Sequence, residues 1–503
     1  MPSHTARILA ISGLLSGALA CAPKPEPETR PPERRAAKPR PAPAPAPVAQ
    51  AVDWGGDVET PGGPMRMRVH LEPSDDPEDG GWRGALDLPQ AGVKALPLRD
   101  VEVTDGGFDF VFAPPGAPES RWAFISIEHE RGADAAAGTF EQAGQAFPVT
   151  LRRLRPGEEF KPPRPQTPQE PFPYASRDLE ILRGEVKLAC TMLVPEGEGP
   201  FPAVALLSGS GAQDRDETIF DHKPFLVLAD RLARDGIASL RCDDRGVGGS
   251  TGDLTTTTQD ELAADALAMV DALAGDLRID PRAIGLVGHS EGAMLAPQAA
   301  VTAPDKVAFA VLLAGPGVPG RTILVQQGKD IGAAMGKTPD AVEAEAKAQK
   351  AMIDAVAQGA DRDALAAKLE VLVDLQTAGM EVDDASKRAL VNQSVDQMSS
   401  PWFVSFVKSD PQKWLRKMRG APVLAIGGDL DLQVRAKENL EAIAAGLKRA
   451  RNKDVTTEVM PGLNHLLQPA TTGTVGEYAQ IETTIAPEVL DLVSAWIRER
   501  FAG

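Results

Sequence analysis

Two hydrophobic periods divide the chain. From about residue 52 to 155, apolar and polar positions alternate. Met65, Met67, Val69 and Leu71 are separated by Arg66, Arg68 and His70, and Phe108, Phe110 and Phe112 follow the same rule. So do Trp122 with Phe124 and Val149 with Leu151. Successive side chains of a strand point to opposite faces, so a period of two predicts strands with one buried face. Turn formers such as Asp105–Gly106–Gly107 lie between these runs. The pattern predicts a small antiparallel all-β barrel or sandwich.

Beyond a Pro-rich stretch from Lys161 to Pro173 the period changes. Short continuous apolar runs recur at Val186–Val194, Pro202–Leu207, Ile237–Leu240, Ile284–Val287, Val307–Leu313 and Pro422–Ile426. Helical stretches such as Pro224–Arg234 and Gln259–Ala274 alternate with them. Strands that are apolar throughout are covered on both faces, which predicts an α/β unit with a mostly parallel sheet over 174–503. Between Gly317 and Pro411 the strand signal stops. Thr338–Pro339–Asp340 is a helix start, and Val342, Ala346, Ile353 and Val356 share one helical face, as do Leu365, Leu369 and Leu372. A stretch of this length does more than join two strands, and a helical lid over about 318–411 is expected. Residues 156–173 are expected as the linker between the two units.

The first residues are patterned for export rather than for folding. Arg7 precedes an apolar run, Ile8–Leu9–Ala10–Ile11 through Leu14–Leu15, that is too short to span a bilayer. Gly17–Ala18–Leu19–Ala20–Cys21 resembles a bacterial lipobox, which implies a signal peptide over 1–21 and lipidation at Cys21. An ordinary signal-peptidase site at Ala18–Leu19–Ala20 is the alternative. From Pro23 to Pro47 ten prolines alternate with Ala, Arg, Lys and Glu, so 22–51 is expected as an extended tether. An exported protein, either anchored to the outer membrane by that lipid or periplasmic, is expected. Membrane contact is expected only through the lipid. A net charge of −18 removes nucleic acid from the partners, because phosphate binding needs a basic face. Cys190 and Cys242 lie in apolar, strand-like runs and are expected as buried free thiols; a disulfide is open in an oxidising compartment, but its geometry is not legible. No Cys or His spacing suits a metal, and no cofactor is expected.

The chemistry concentrates at Gly288–His289–Ser290–Glu291–Gly292, which follows the run Ile284–Val287 and precedes a helix-prone stretch. This G-x-S-x-G pattern between strand and helix is a nucleophile elbow: a sharp turn exposes the hydroxyl and crowds the positions two before and two after it. A serine needs a base. Of six histidines, His4 leaves with the signal, His70 and His129 belong to the β unit, and His289 sits in the elbow with its side chain expected to face away from the serine. His222 and His465 remain, and only His465 follows Ser290, as the order nucleophile, acid, histidine requires. Asp429 and Asp431 both follow the run Pro422–Ile426. The usual G-x-x-D loop selects Asp431 to orient His465, with Asp429 as a turn former. The oxyanion hole is expected from the backbone N–H groups of Glu291 and Ser210, the latter in Ser208–Gly209–Ser210–Gly211. Asp243–Asp244–Arg245–Gly246 is expected to order a turn by ion pairs, and Asp214–Glu217 either lines the pocket or braces the oxyanion loop.

Together Ser208–Glu217, Asp243–Gly246, the elbow, Gly428–Val434 and Pro461–His465 resemble the EstD-type bacterial esterases, a branch of the α/β-hydrolases near the serine aminopeptidase-like group. The resemblance covers roughly 172–503, and Gly138–Gly144 with Phe147–Leu151 is similar to the β domain that precedes it in such proteins. Ser208 stands where many α/β-hydrolases carry His. The resemblance implies a serine carboxylesterase acting on small esters with short acyl chains, through an acyl-enzyme and without cofactor. Aminopeptidase-like peptidase action and a non-catalytic binding lipoprotein are the alternatives. A neutral histidine base implies a rate that falls on the acid side of about pH 6–7.

Overall fold

The computed structural model describes residues 51–501, apart from 61–62, 77–80, 89–92, 105–106, 113–119, 129–133, 143–144, 156–157, 159–162 and 379–381. The signal-like segment, Cys21, residues 22–50 of the tether and His129 lie outside the described residues. The chain divides into two compact units, with the boundary between Lys161 and Pro162.

In the first unit nine strands, β1 (Val52–Thr60), β2 (Gly63–Pro73), β3 (Trp82–Leu88), β4 (Val93–Pro97), β5 (Arg99–Thr104), β6 (Gly107–Phe112), β7 (Ser120–Glu128), β8 (Asp134–Gln142) and β9 (Gln145–Arg153), form one sheet. Its order is β4-β3-β2-β1-β9-β8-β7-β6-β5, antiparallel throughout. The two end strands, β4 and β5, are separated by a single residue, Leu98, so the sheet must curl until its ends meet. The result is a nearly closed barrel rather than a sandwich. The alternating apolar positions fill it: Met67, Val69, Leu71, Phe110 and Leu151 are fully buried. Phe108 and Phe124 stack with ring centroids 4.9 Å apart.

The second unit holds an eight-stranded sheet built from β10 (Tyr174–Arg183), β11 (Val186–Pro195), β12 (Phe201–Leu207), β13 (Ala238–Cys242), β14 (Ile279–His289), β15 (Phe309–Leu313), β16 (Val423–Gly428) and β17 (Val455–Met460). Its order is β10-β11-β13-β12-β14-β15-β16-β17. The pairs β10–β11 and β11–β13 are antiparallel, and every later pair is parallel. Helices α1 (Pro224–Arg234), α2 (Gln259–Ala274) and α3 (Glu291–Thr302) connect the central strands. Consecutive strand residues serve opposite cores: Ala205 and Leu286 pack with α2 and α3, whereas Val204 and Val287 pack with α1. That two-sided burial is why these runs show no alternation. β10 lacks such a run. It is an exposed edge strand reading Tyr–Ala–Ser–Arg–Asp–Leu–Glu, so its sequence carries no strong strand signal.

Between β15 and β16 the chain forms helices α4 (Gly320–Ala334), α5 (Pro339–Gln358), α6 (Arg362–Gln376), α7 (Asp384–Met398), α8 (Pro401–Lys408) and the short α9 (Gln412–Leu415). Thr338 caps α5 with Pro339 at its first turn. Met352, Leu369, Val395 and Trp402 belong to a core of this insertion, against which Leu254 and Leu262 of the main unit pack. The last elements are α10 (Ala436–Arg449), α11 (Val475–Tyr478) and α12 (Pro487–Phe501).

Two expectations change. Cys190 and Cys242 are joined as a disulfide, because β11 and β13 pair in a register that sets the two residues directly opposite each other. Cross-strand register is a long-range property that neither apolar run reveals alone. The Pro-rich segment is also not a free linker over its second half. Arg164 donates to the carbonyls of Phe220, Ala479 and Ile481, and Gln166 accepts from the N–H groups of Thr484 and Ile485.

Candidate active site

Loops at the carboxyl ends of the parallel strands converge on Ser290, where open α/β sheets place their ligand sites. Ser290 itself adopts φ 51° between β14 and α3, a left-handed conformation that costs a non-glycine residue of order 1–3 kcal/mol. Its N–H donates to the carbonyl of Leu313 at 2.9 Å, which anchors the turn to the neighbouring strand. The flanking glycines are steric necessities. A Cβ on Gly288 would meet the backbone of Gly292 at 2.2 Å, and one on Gly292 would meet the carbonyl of Leu207 at 2.1 Å.

His465 follows β17, and its loop is shaped by the buried Asn464, whose Oδ1 accepts from the N–H groups of Leu466 and Gln468. The ring reaches Ser290, with Nε2 3.1 Å from the serine Oγ, and its Nδ1 lies 2.7 Å from Asp431 Oδ2. Asp431 Oδ1 accepts from the N–H groups of Gln433 and Val434, both at 2.8 Å, so the carboxylate is held by the start of the next segment. Asp429 points elsewhere. Its Oδ1 accepts from Gly462 N at 2.6 Å and ties the loop after β16 to the loop that carries His465. This is a cross-loop bond rather than the local turn bond expected of it.

The loop after β12 approaches from the other side. A Cβ on Gly209 would press on Glu217 Oε1 at 3.0 Å and His289 Nδ1 at 3.3 Å, so a side chain there would crowd this pair. The Gly209 N–H is taken by Glu217 Oε1 at 2.6 Å. The N–H groups of Ser210 and Glu291 donate to no partner among the described residues, so both remain free to serve an anionic oxygen. Ser208 donates to Asp244 Oδ1 at 3.0 Å, and Asp244 Oδ2 accepts from Gln213 N, which fixes this loop to the turn after β13. Asp243 and Arg245 do pair as expected, with Arg215 and Asp265 respectively, each through two hydrogen bonds.

Two side chains here were not singled out from the pattern. His289 does not idle behind the elbow: Nδ1 is 2.8 Å from Glu217 Oε1, Nε2 is 3.0 Å from the carbonyl oxygen of His465, and its ring centroid lies 4.9 Å from that of His465. Burial alone would depress its pKa, but the charge and hydrogen bond of Glu217 and the His465 carbonyl raise it above the ordinary histidine value. Glu291 is buried with its carboxyl accepting from Gln259 Nε2 and from Trp402 Nε1 of α8, the latter at 2.9 Å. Burial pushes its pKa to about 7, against the lowering effect of those two bonds. The other histidine of this unit, His222, is fully buried between Thr484 Oγ1 and the carbonyl of Tyr478, far along the chain from the elbow, and burial lowers its pKa to about 4.

A mixed sheet of this order, with a serine on a strained strand-to-helix turn at its centre and an all-helical insertion after the next strand, is the α/β-hydrolase fold. Residues 184–450 match the model of the X-Pro dipeptidyl-peptidase (S15) family, and the chain belongs to that family. Esterase EstD of Thermotoga maritima is 31% identical over 205 residues, 40% of this chain and 46% of that protein. The chain thus matches under half the length of that relative. Among solved structures, a hypothetical protein from Pseudomonas aeruginosa is similar at 16% identity and TM-score 0.43, over 66% of this chain and 96% of that one. An esterase from Pyrococcus furiosus is similar at 17% identity and TM-score 0.40, over 69% of this chain and all of that one.

Proposed function

We propose that this protein is a serine hydrolase that cleaves carboxylic esters of short acyl chains. The observation that carries the proposal is the placement of His465 Nε2 at 3.1 Å from Ser290 Oγ with Asp431 at its other nitrogen. In this reading Ser290 attacks the ester carbonyl while His465 takes its proton. The N–H groups of Glu291 and Ser210 receive the oxyanion, and the alcohol leaves with the proton from His465. Water, activated by the same imidazole, then frees the acid. The likeness to an esterase over 205 residues supports the ester as substrate.

Membership of a dipeptidyl-peptidase family favours a second reading, cleavage of peptides after an X-Pro pair. Turnover of p-nitrophenyl acetate, butyrate and decanoate against glycyl-prolyl and aminoacyl anilides separates the two. Esterase action predicts turnover of the short esters, little of the anilides, and loss of both turnover and fluorophosphonate labelling in Ser290→Ala. Cleavage of anilides alone overturns the ester assignment, and labelling that survives the substitution overturns the nucleophile. We also propose that the enzyme is exported and lipidated at Cys21; the Cys190–Cys242 disulfide supports this, since such bonds persist in oxidising compartments.

A further inference from the structure

We propose that His289 acts as a doubly protonated imidazolium, paired with Glu217, and that this buried pair is a positioning device holding the oxyanion loop and the His465 loop around Ser290. The inference rests on the serine-hydrolase reading above for its kinetic consequence, whereas the protonation state is argued from the hydrogen-bond geometry of the ring and the relative basicity of its partners.

The hydrogen-bond bookkeeping of the ring is closed. A carbonyl oxygen only accepts, so the contact of His289 Nε2 with the His465 carbonyl at 3.0 Å requires a proton on Nε2. The contact of Nδ1 with Glu217 Oε1 at 2.8 Å requires a second proton between imidazole and carboxyl. Imidazole is the stronger base by roughly two units in ordinary surroundings, so that proton resides on the ring. Among the described residues, Glu217 is the charged group hydrogen-bonded to this ring. His465 stacks beside it, and the Asp431 carboxylate acts on it through space. The raised pKa of His289 has the direction this arrangement demands.

The pair is built into the site rather than placed near it. Glu217 is 1% exposed and adopts φ 54°, a conformation that a glutamate holds only when its surroundings dictate it. Its Oε1 accepts from Gly209 N–H as well as from His289, while Oε2 is buried without a hydrogen-bond partner among the described residues. Glu217 shares a small apolar cavity with Phe225, Leu228, Leu466 and Ile485. One oxygen therefore carries two charge-assisted bonds, each shorter and roughly twice as strong as a neutral one. The chain of contacts runs from Gly209 N–H to Glu217, from His289 to Glu217, and from His289 to the His465 carbonyl. Its ends are the loop that presents Ser210 N–H and the loop that presents the base. His289 itself precedes Ser290. Removing the charge weakens the link that joins these backbone segments, and a shift of about 1 Å in such groups costs on the order of 10²-fold in rate.

Histidine ¹⁵N NMR on the full-length protein tests the protonation directly. At pH 8 the wild type should show one histidine with both ring nitrogens protonated, absent in His289→Asn; should that variant not fold, elimination with His4→Asn, His70→Asn, His129→Asn, His222→Asn and His465→Asn assigns it. A His289 with one protonated nitrogen at pH 8 overturns the proposal. For the positioning role, Glu217→Gln keeps an acceptor for Gly209 N–H but no charge. It should convert His289 to the neutral form and slow fluorophosphonate labelling and kcat by roughly 10- to 100-fold, with KM changed by less than about threefold. Labelling of Glu217→Gln at the wild-type rate, with Glu217→Ala alone impaired, shows a bracing acceptor and no role for the charge, which overturns it as well. Failure of the serine-hydrolase reading looks different, because the wild type itself would then not label.

Discussion

Asp431 and Asp429 are the same residue type two positions apart on one loop, yet the fold gives them different work. Asp431 faces His465, whereas Asp429 spans to Gly462 N–H. Asp431→Ala should therefore lower kcat by about 10⁴-fold, as loss of the group that fixes the histidine tautomer does. Asp429→Ala should lower kcat only a few-fold and cost about 1 kcal/mol for one hydrogen bond. Parallel kcat and melting measurements decide it, and the reverse ranking would overturn the assignment of the acid. The G-x-x-D spacing singles out Asp431 and chain order singles out His465, and the structure brings both side chains to Ser290. Glu217 and His289 are harder to see. An acidic run such as Asp214–Arg215–Asp216–Glu217 is as compatible with a solvated turn as with a buried charge, and a histidine inside the elbow motif looks like its filler.

At the scale of elements, the bond from Trp402 to Glu291 joins α8 of the insertion to the first residue of α3. Gln259 N–H, at the start of α2, donates to Ser405 of the same α8. The helical insertion is thus fastened to the helix that follows Ser290 by a carboxyl whose pKa burial raises from 4.5 to about 7. The folded state holds that proton more tightly than the unfolded chain does. Its stabilising effect is complete below the ordinary glutamate value and is lost as pH rises through about 7. At ~1.4 kcal/mol per unit, Glu291 should cost on the order of 3 kcal/mol of stability between pH 4.5 and 7. Glu291→Gln should abolish that part of the slope in denaturant melts of this unit. An unchanged slope would mean that Glu291 is not the group responsible. Helices with capping signals and apolar faces, such as α5 and α6, are plain in the pattern because their signals are local. β10 is not, because an edge strand needs no apolar run.

For the whole molecule, division into a β unit and an α/β unit follows from the change of period, since a one-faced sheet and a two-faced sheet bury different sets of side chains. What covalently links distant strands does not follow, as the Cys190–Cys242 bridge shows. Lipidation makes a prediction at this scale. Bacterial cells producing the full chain and fed an alkyne fatty acid should yield a labelled protein in the membrane fraction, and Cys21→Ser should lose both label and membrane association. A label that persists in Cys21→Ser places the lipid elsewhere, and an unlabelled wild type excludes the anchor.

The bridge also partitions the site. It closes a ring over residues 190–242, a separation of 52, and such a ring withdraws about 4 kcal/mol of freedom from the denatured ensemble. Gly209, Ser210, Arg215 and Glu217 all ride inside this ring, whereas Ser290, Asp431 and His465 lie outside it. In the proposed mechanism the ring thus carries one oxyanion amide, Ser210 N–H, with the carboxylate that braces its loop, while the second amide, Glu291 N–H, travels with Ser290 outside it. The side chains proposed to react are left to the sheet.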